Sequence, residues 1–222
     1  MNAITYPKFT LLFIGILCAE LICGSIESLQ TAHYFTKPAL LISLVVFFYS
    51  ESKQLSKSIR RFTLLALSFS LLGDVLLLFV EQSANYFMFG LMAFLLAHIM
   101  YILVFSKHRN KTKNPWVFVL LLLIFAMGIF YLLKSGLGTM RIPVSIYMLI
   151  ILTMVTMAFL RKGMVNPISY NLVLIGGFLF LVSDSILALN KFYQPLPLSN
   201  FSIMTTYALA QYFIVKGLLK LQ

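Results

Sequence analysis

The chain has 222 residues, 61% hydrophobic and only 10% charged, with a formal charge of +11 and a mean hydropathy of +0.97. A soluble domain needs roughly a quarter of its residues charged to coat its surface, so a soluble fold is excluded. The chain reads instead as an all-α polytopic membrane protein, one bilayer domain over residues 1–222. Its basic residues sit in short connections rather than on one continuous face, which sets nucleic acid aside as a partner.

A spanning helix takes about 20 mostly apolar residues. Eight such segments follow in order: Phe9–Ile26, Phe35–Ser50, Phe62–Val80, Tyr86–Phe105, Trp116–Leu133, Ile142–Leu160, Tyr170–Leu189 and Phe201–Leu219. The first starts after Lys8 and runs past Glu20 with no small-residue cleavage site, so it reads as an uncleaved span. It holds both cysteines, Cys18 and Cys23, at a spacing that suits neither a disulfide framework nor a zinc site. No disulfide, metal or cofactor is expected. The second segment is the shortest, and Lys37 and Pro38 open it, with the proline in a tolerant first turn.

Charge tests that count independently of hydropathy, because Lys and Arg concentrate on the cytoplasmic side. With eight spans, one side collects Lys8, Lys53, Lys57, Arg60, Arg61, Lys107, Arg109, Lys111, Lys113, Arg161, Lys162, Lys216 and Lys220. The other side keeps Lys37, Lys134, Arg141 and Lys191. Thirteen against four places both termini in the cytoplasm. Orientation also accounts for the basic run Ser50–Arg61 without a dedicated lipid site.

Two carboxyl groups stand inside apolar segments: Asp74 in SFSLLGDVLLLFV and Asp184 in FLFLVSDSILAL. The segments align at an offset of 110 residues, about half the chain, which suggests a four-plus-four pseudo-repeat. Each aspartate precedes its outer boundary charge, Glu81 or Lys191, by seven residues, roughly 10 Å of helix. Glu20 precedes Glu27 by the same step, and Lys37 and Tyr207 reach that level from helices that start outside. His98, with Tyr101 one turn on, and Gln211 lie deeper. Ionisable groups at such depth usually mark a site, although each could instead bond to a neighbouring helix and glue the bundle. Two carboxyls held away from water cannot both carry charge cheaply, so the pair suits a protonated acid beside a carboxylate. That leaves acid/base chemistry on an amphiphile, or proton-coupled movement of a solute. No nucleophile elbow, zinc motif, P-loop or dinucleotide fingerprint is present.

The segments TKPALL (Thr36–Leu41), FSLLGDVLLLF (Phe69–Phe79), FGLMAFLLAHIMYI (Phe89–Ile102), GGFLFLVSDSILA (Gly176–Ala188) and TTYALAQ (Thr205–Gln211) together resemble the YhhN family of membrane proteins, which includes the animal lysoplasmalogenases. The resemblance implies hydrolysis of the vinyl-ether bond of a lysophospholipid to a fatty aldehyde and a glycerophospho-base. On that reading Asp74 and Asp184 are the catalytic pair, one donating a proton and the other stabilising the cation and activating water. Lys37 meets the phosphate, Tyr207 and Gln211 hold the glycerol or the water, and Lys191 is a second phosphate contact; His98, Tyr101 and Glu20 complete the expected site. The implied partners are the lysophospholipid and membrane lipids, in a bacterial inner membrane or an internal eukaryotic one. A proton-coupled transporter or a non-catalytic lipid-binding protein is the rival reading, and the oligomeric state stays open.

Overall fold

The computed structural model describes residues 5–221. Among these the chain is all helical: α1 (Thr5–Cys23), α2 (Gln30–Glu51), α3 (Lys57–Leu77), α4 (Ala84–Ser106), α5 (Trp116–Leu133), α6 (Arg141–Phe159), α7 (Pro167–Phe192) and α8 (Ser199–Leu219), with short 3-10 turns at Glu27–Leu29 and Gly138–Met140. Among the described residues five segments are long and apolar enough to cross a bilayer: Glu27–Glu51, Asn85–Ser106, Trp116–Leu133, Gly138–Phe159 and Pro167–Phe192. α5 leaves Trp116, Val117, Leu121 and Met127 more than half exposed, which only a lipid solvent tolerates. The protein is an integral membrane protein. Arg60, Arg61 and Asp74 lower the hydropathy of α3, and Gln211 and Lys216 that of α8.

The second helix departs from its expected form. It starts at Gln30 rather than Phe35, so Pro38 lies in the helix interior instead of its first turn, and α5, with 18 residues, is the shortest helix. Proline there removes the N–H that would bond to the carbonyl of Tyr34, a loss that packed spanning helices absorb. The seam continues on both sides of it, with Lys37, Leu40, Leu41, Leu44, Phe47 and Phe48 buried at helical spacing.

Contacts divide the chain into two compact units, one ending at Met100 and one starting at Tyr101, so α4 begins in the first and ends in the second. In the first unit α1 packs on α2 and α2 on α3. Phe9 stacks on Phe47 with ring centres 3.7 Å apart. The buried face of α3 runs Ile59, Thr63, Ala66, Leu67, Ser70, Gly73, Asp74, so Asp74 continues the inward stripe. Short connections make successive helices antiparallel, and the end of α1, the start of α2 and the end of α3 therefore share one side. Aromatic rings mark that side, with Phe79 5.7 Å from both Tyr34 and Tyr86.

In the second unit α7 and α8 make the most extensive helix pair, and α6 packs on α7. Gly176 lies against the carbonyl of Ala210 and the side chain of Ile214, and Gly217 against Leu172 and Val173. Small residues let the two backbones approach, the usual basis of association in lipid. Asn166 caps α7 by accepting from Ser169 N at 2.8 Å, and its amide donates to the carbonyl of Lys220 at the end of α8.

At the basic end of this unit Arg161 is fully buried and donates to the Ser169 hydroxyl at 2.9 Å. Burial holds its guanidinium down, to about 10. Burial and then the Arg161 charge hold His108 below its ordinary 6.5. The unfolded chain therefore takes up a proton at His108 before the folded one does. Its contribution is whole above pH 6.5 and is lost as pH falls from there toward the depressed folded value. A His108→Gln variant is expected to unfold in acid at a lower pH than the parent, read from thermal midpoints between pH 7 and 5; parallel profiles would contradict the coupling.

Candidate active site

Asp184 stands about one turn into the second half of α7, at the seam between two stripes. Gly176, Phe180 and Ser183 face α8: Phe180 meets Tyr207 edge to face at 5.4 Å, and the Ser183 hydroxyl donates to Ile203 O at 3.1 Å. Gly177 faces Val155 and Ala158 of α6. From α6 the Tyr147 hydroxyl donates to Asp184 Oδ2 at 2.5 Å. Asp184 is half-buried, and with Tyr147, Leu133, Val144, Ala126 and Met148 it lines a small apolar cavity of about 40 Å³. One carboxyl oxygen is thus held by a phenol while the group as a whole borders an apolar cleft, an arrangement that orients a carboxyl for proton transfer.

The sequence reading omitted Tyr147, treating the sixth segment as a hydrophobic span. Its signal was depth: Tyr147 is six residues inside Arg141, roughly 9 Å below the boundary and level with Asp184.

Asp74 is buried in the first unit, near the end of α3. Gly73 beside it lies under the ring of Phe94 from α4, where an added Cβ would fall 2.6 Å from a ring carbon. Glu20, on α1, is fully buried. The Thr36 hydroxyl of α2 donates to its Oε2 at 2.6 Å, and His33 Nδ1 lies 3.1 Å from the same carboxyl. His33 and Thr36 were also missed, although they precede Lys37 on the inward stripe of α2. Lys37 is buried in the same helix, and His98 is fully buried in α4.

Tyr101 and Gln211, expected as separate contributors, meet directly: the Tyr101 hydroxyl donates to Gln211 Oε1 at 2.5 Å, with both residues fully buried. Their separation of 110 residues equals that between Asp74 and Asp184. Tyr101→Phe leaves the buried Gln211 oxygen short of this donor and is expected to cost about 1 kcal/mol, measured as a lowered unfolding midpoint in detergent; an unchanged midpoint would show that the bond contributes nothing. Lys191 is exposed in the last turn of α7.

The YhhN family model matches residues 32–218. The lysoplasmalogenase TMEM86B of Homo sapiens is 32% identical over 155 residues, covering 70% of this chain and 62% of that protein. The lysoplasmalogenase TMEM86A of Bos taurus is 31% identical over 153 residues, covering 67% and 61%. The matched stretch thus spans about three-fifths of these relatives' own length. No solved structure matches the chain.

Proposed function

The chain belongs to the YhhN family, and from that premise we propose that it hydrolyses the vinyl-ether bond of a lysoplasmalogen-type lysophospholipid within the bilayer. The observation that carries the reading is the carboxyl of Asp184, fixed by Tyr147 at the edge of an apolar cleft. The similarity to lysoplasmalogenases supports the substrate class.

Hydrolysis of R–O–CH=CH–R′ begins with a proton delivered to the carbon beta to oxygen, which leaves an oxocarbenium at the carbon bonded to oxygen. Water adds there and loses a proton, and the hemiacetal collapses to the aldehyde R′–CH2–CHO and the alcohol ROH. One protonated carboxyl and one carboxylate suffice for this sequence, with no metal and no covalent intermediate. We assign Asp184 to one role and Asp74 to the other. Tyr147 is a positioning residue, since its hydroxyl holds one oxygen of Asp184 and fixes how the carboxyl faces the cavity. The topology that accompanies this reading is a single membrane domain of eight spans with both termini in the cytoplasm, which puts Asp74 and Asp184 in the outer half of the bilayer.

The test is aldehyde release from a defined lysoplasmalogen by the purified protein in detergent. Stoichiometric aldehyde and glycerophospho-base are expected. Folded protein that releases neither would remove the hydrolase reading and favour proton-coupled transport by the same acids.

A further inference from the structure

We propose that the groove between α5 and α6 holds the hydrocarbon chain of the substrate lipid, which enters sideways from the bilayer with its phosphate at Lys134 and Arg141 and its glycerol ether at Asp184. The inference rests on the hydrolase reading above and gives it a binding site.

The groove has a volume of about 430 Å³ and opens on the lipid-facing side of α5 and α6. That lies within the range of roughly 300–1,000 Å³ common to small-ligand sites. Ala126, Met148 and Leu152 line both this groove and the small cavity at Asp184, so one wall leads from the bilayer to the carboxyl. Ala126 provides the gap, because a larger side chain there would fill both spaces. Met148 is unbranched and adapts to an occupant.

Charge identifies the occupant as a phospholipid rather than a plain hydrocarbon. Lys134 lines the outer end of the groove, its Nζ 4.1 Å above the Tyr131 ring. Arg141 donates to the carbonyl of Lys134 at 3.3 Å, so a second cation stands at the same rim. Ser145 and Tyr131 carry the other polar groups on the wall, both hydroxyls, and no carboxylate lines the open groove. Two cations over an apolar trough complement a phosphate joined to an alkyl chain.

The spacing fits one pose. Leu133 and Val144, which border the cavity at Asp184, are one and three residues from Lys134 and Arg141. The carboxyl is level with Tyr147, roughly 9 Å of helix below Arg141, and Lys134 folds back over Tyr131, toward it. A glycerol bearing phosphate at one end and an ether at the other bridges such a gap. From there the groove continues inward along α5 as far as Leu123, 11 residues from Lys134 and roughly 16 Å of helix, to receive the chain. The small cavity beside Asp184 exceeds the ~15 Å³ that a water molecule needs, so the second reactant has room at the carboxyl.

The probe is a lysophospholipid with a saturated ether chain carrying a diazirine, which binds without being hydrolysed. Photolabelling of the purified protein, mapped by peptide mass spectrometry, is expected on α5 and α6 around Ala126, Met148 and Leu152. Unlabelled saturated-ether lysophospholipid should compete, and diacyl phospholipid at equal concentration should not. Ala126→Trp should cut the labelling at Met148 at least five-fold; Lys134→Gln with Arg141→Gln, which leaves the groove unfilled and guards against a misfolded tryptophan variant, should weaken competition about ten-fold. Labelling confined to other helices overturns the groove, and so does equal competition by diacyl lipid, which means annular lipid only. Labelling at the groove in a protein that releases no aldehyde keeps the lipid site and removes the hydrolase reading, so the two fail separately.

Discussion

Asp184→Asn is expected to lower aldehyde release by about 10²–10⁴-fold while the protein stays folded, the range that removal of a positioned acid or base produces. Asparagine keeps the shape of the side chain and an oxygen that accepts from Tyr147, so the α6–α7 contact survives. It has no proton to deliver and no charge with which to steady an oxocarbenium. Tyr147→Phe should cost less, about ten-fold, because the carboxyl remains and only its orientation is released. Asp74→Asn should match Asp184→Asn in size if the two acids divide the work, and a variant with both changes should be little slower than either alone, since residues that act as one unit are not additive. Parental turnover in folded Asp184→Asn would sink the acid/base mechanism. Unchanged behaviour of the double variant in hydrolysis and transport assays alike would reduce both acids to structural roles.

Gly176→Leu should produce a large loss of stability. A Cβ at this position would stand 2.8 Å from the carbonyl of Ala210 and 2.7 Å from Ile214, and a backbone oxygen cannot swing aside as a side-chain tip can. α7 must then move away from α8, loosening the Phe180–Tyr207 and Ser183–Ile203 contacts. About 3 kcal/mol is expected, the upper part of the usual overpacking range, which for a chain of this size corresponds to a thermal midpoint lowered by about 6–12 °C. Gly128→Leu is the control, because a Cβ there meets nothing within 4 Å; it should change the midpoint little. Equal effects at the two positions would mean that α7 and α8 do not rely on close approach.

Hydropathy and charge are properties of short windows, and what depends on them was legible in the chain itself. The helical class follows from runs of apolar residues near 20 in length, and most helix ends lie within a few residues of the expected ones. Asp74, Asp184 and Glu20 stand out for the same reason, since a carboxyl in an apolar window needs no partner to be noticed. The family resemblance also lay in local segments, and the family match over residues 32–218 agrees with it. The second helix was misjudged where local rules conflicted, because a proline reads as close to a boundary while the turns before it are tied to α1 by His33 and Thr36 at Glu20.

Tertiary structure alone decided which group answers each acid. Tyr147 belongs to Asp184, and His33 and Thr36 to Glu20, because of the angles at which α6 meets α7 and α2 meets α1, and a window of sequence carries no information about the azimuth of another helix. The close approach at Gly176 and the groove between α5 and α6 have the same origin. Apolar composition tells a helix to enter the bilayer, but lipid and protein are equally apolar, so only the fit of small and large side chains settles which faces close on each other and which stay open to a lipid chain.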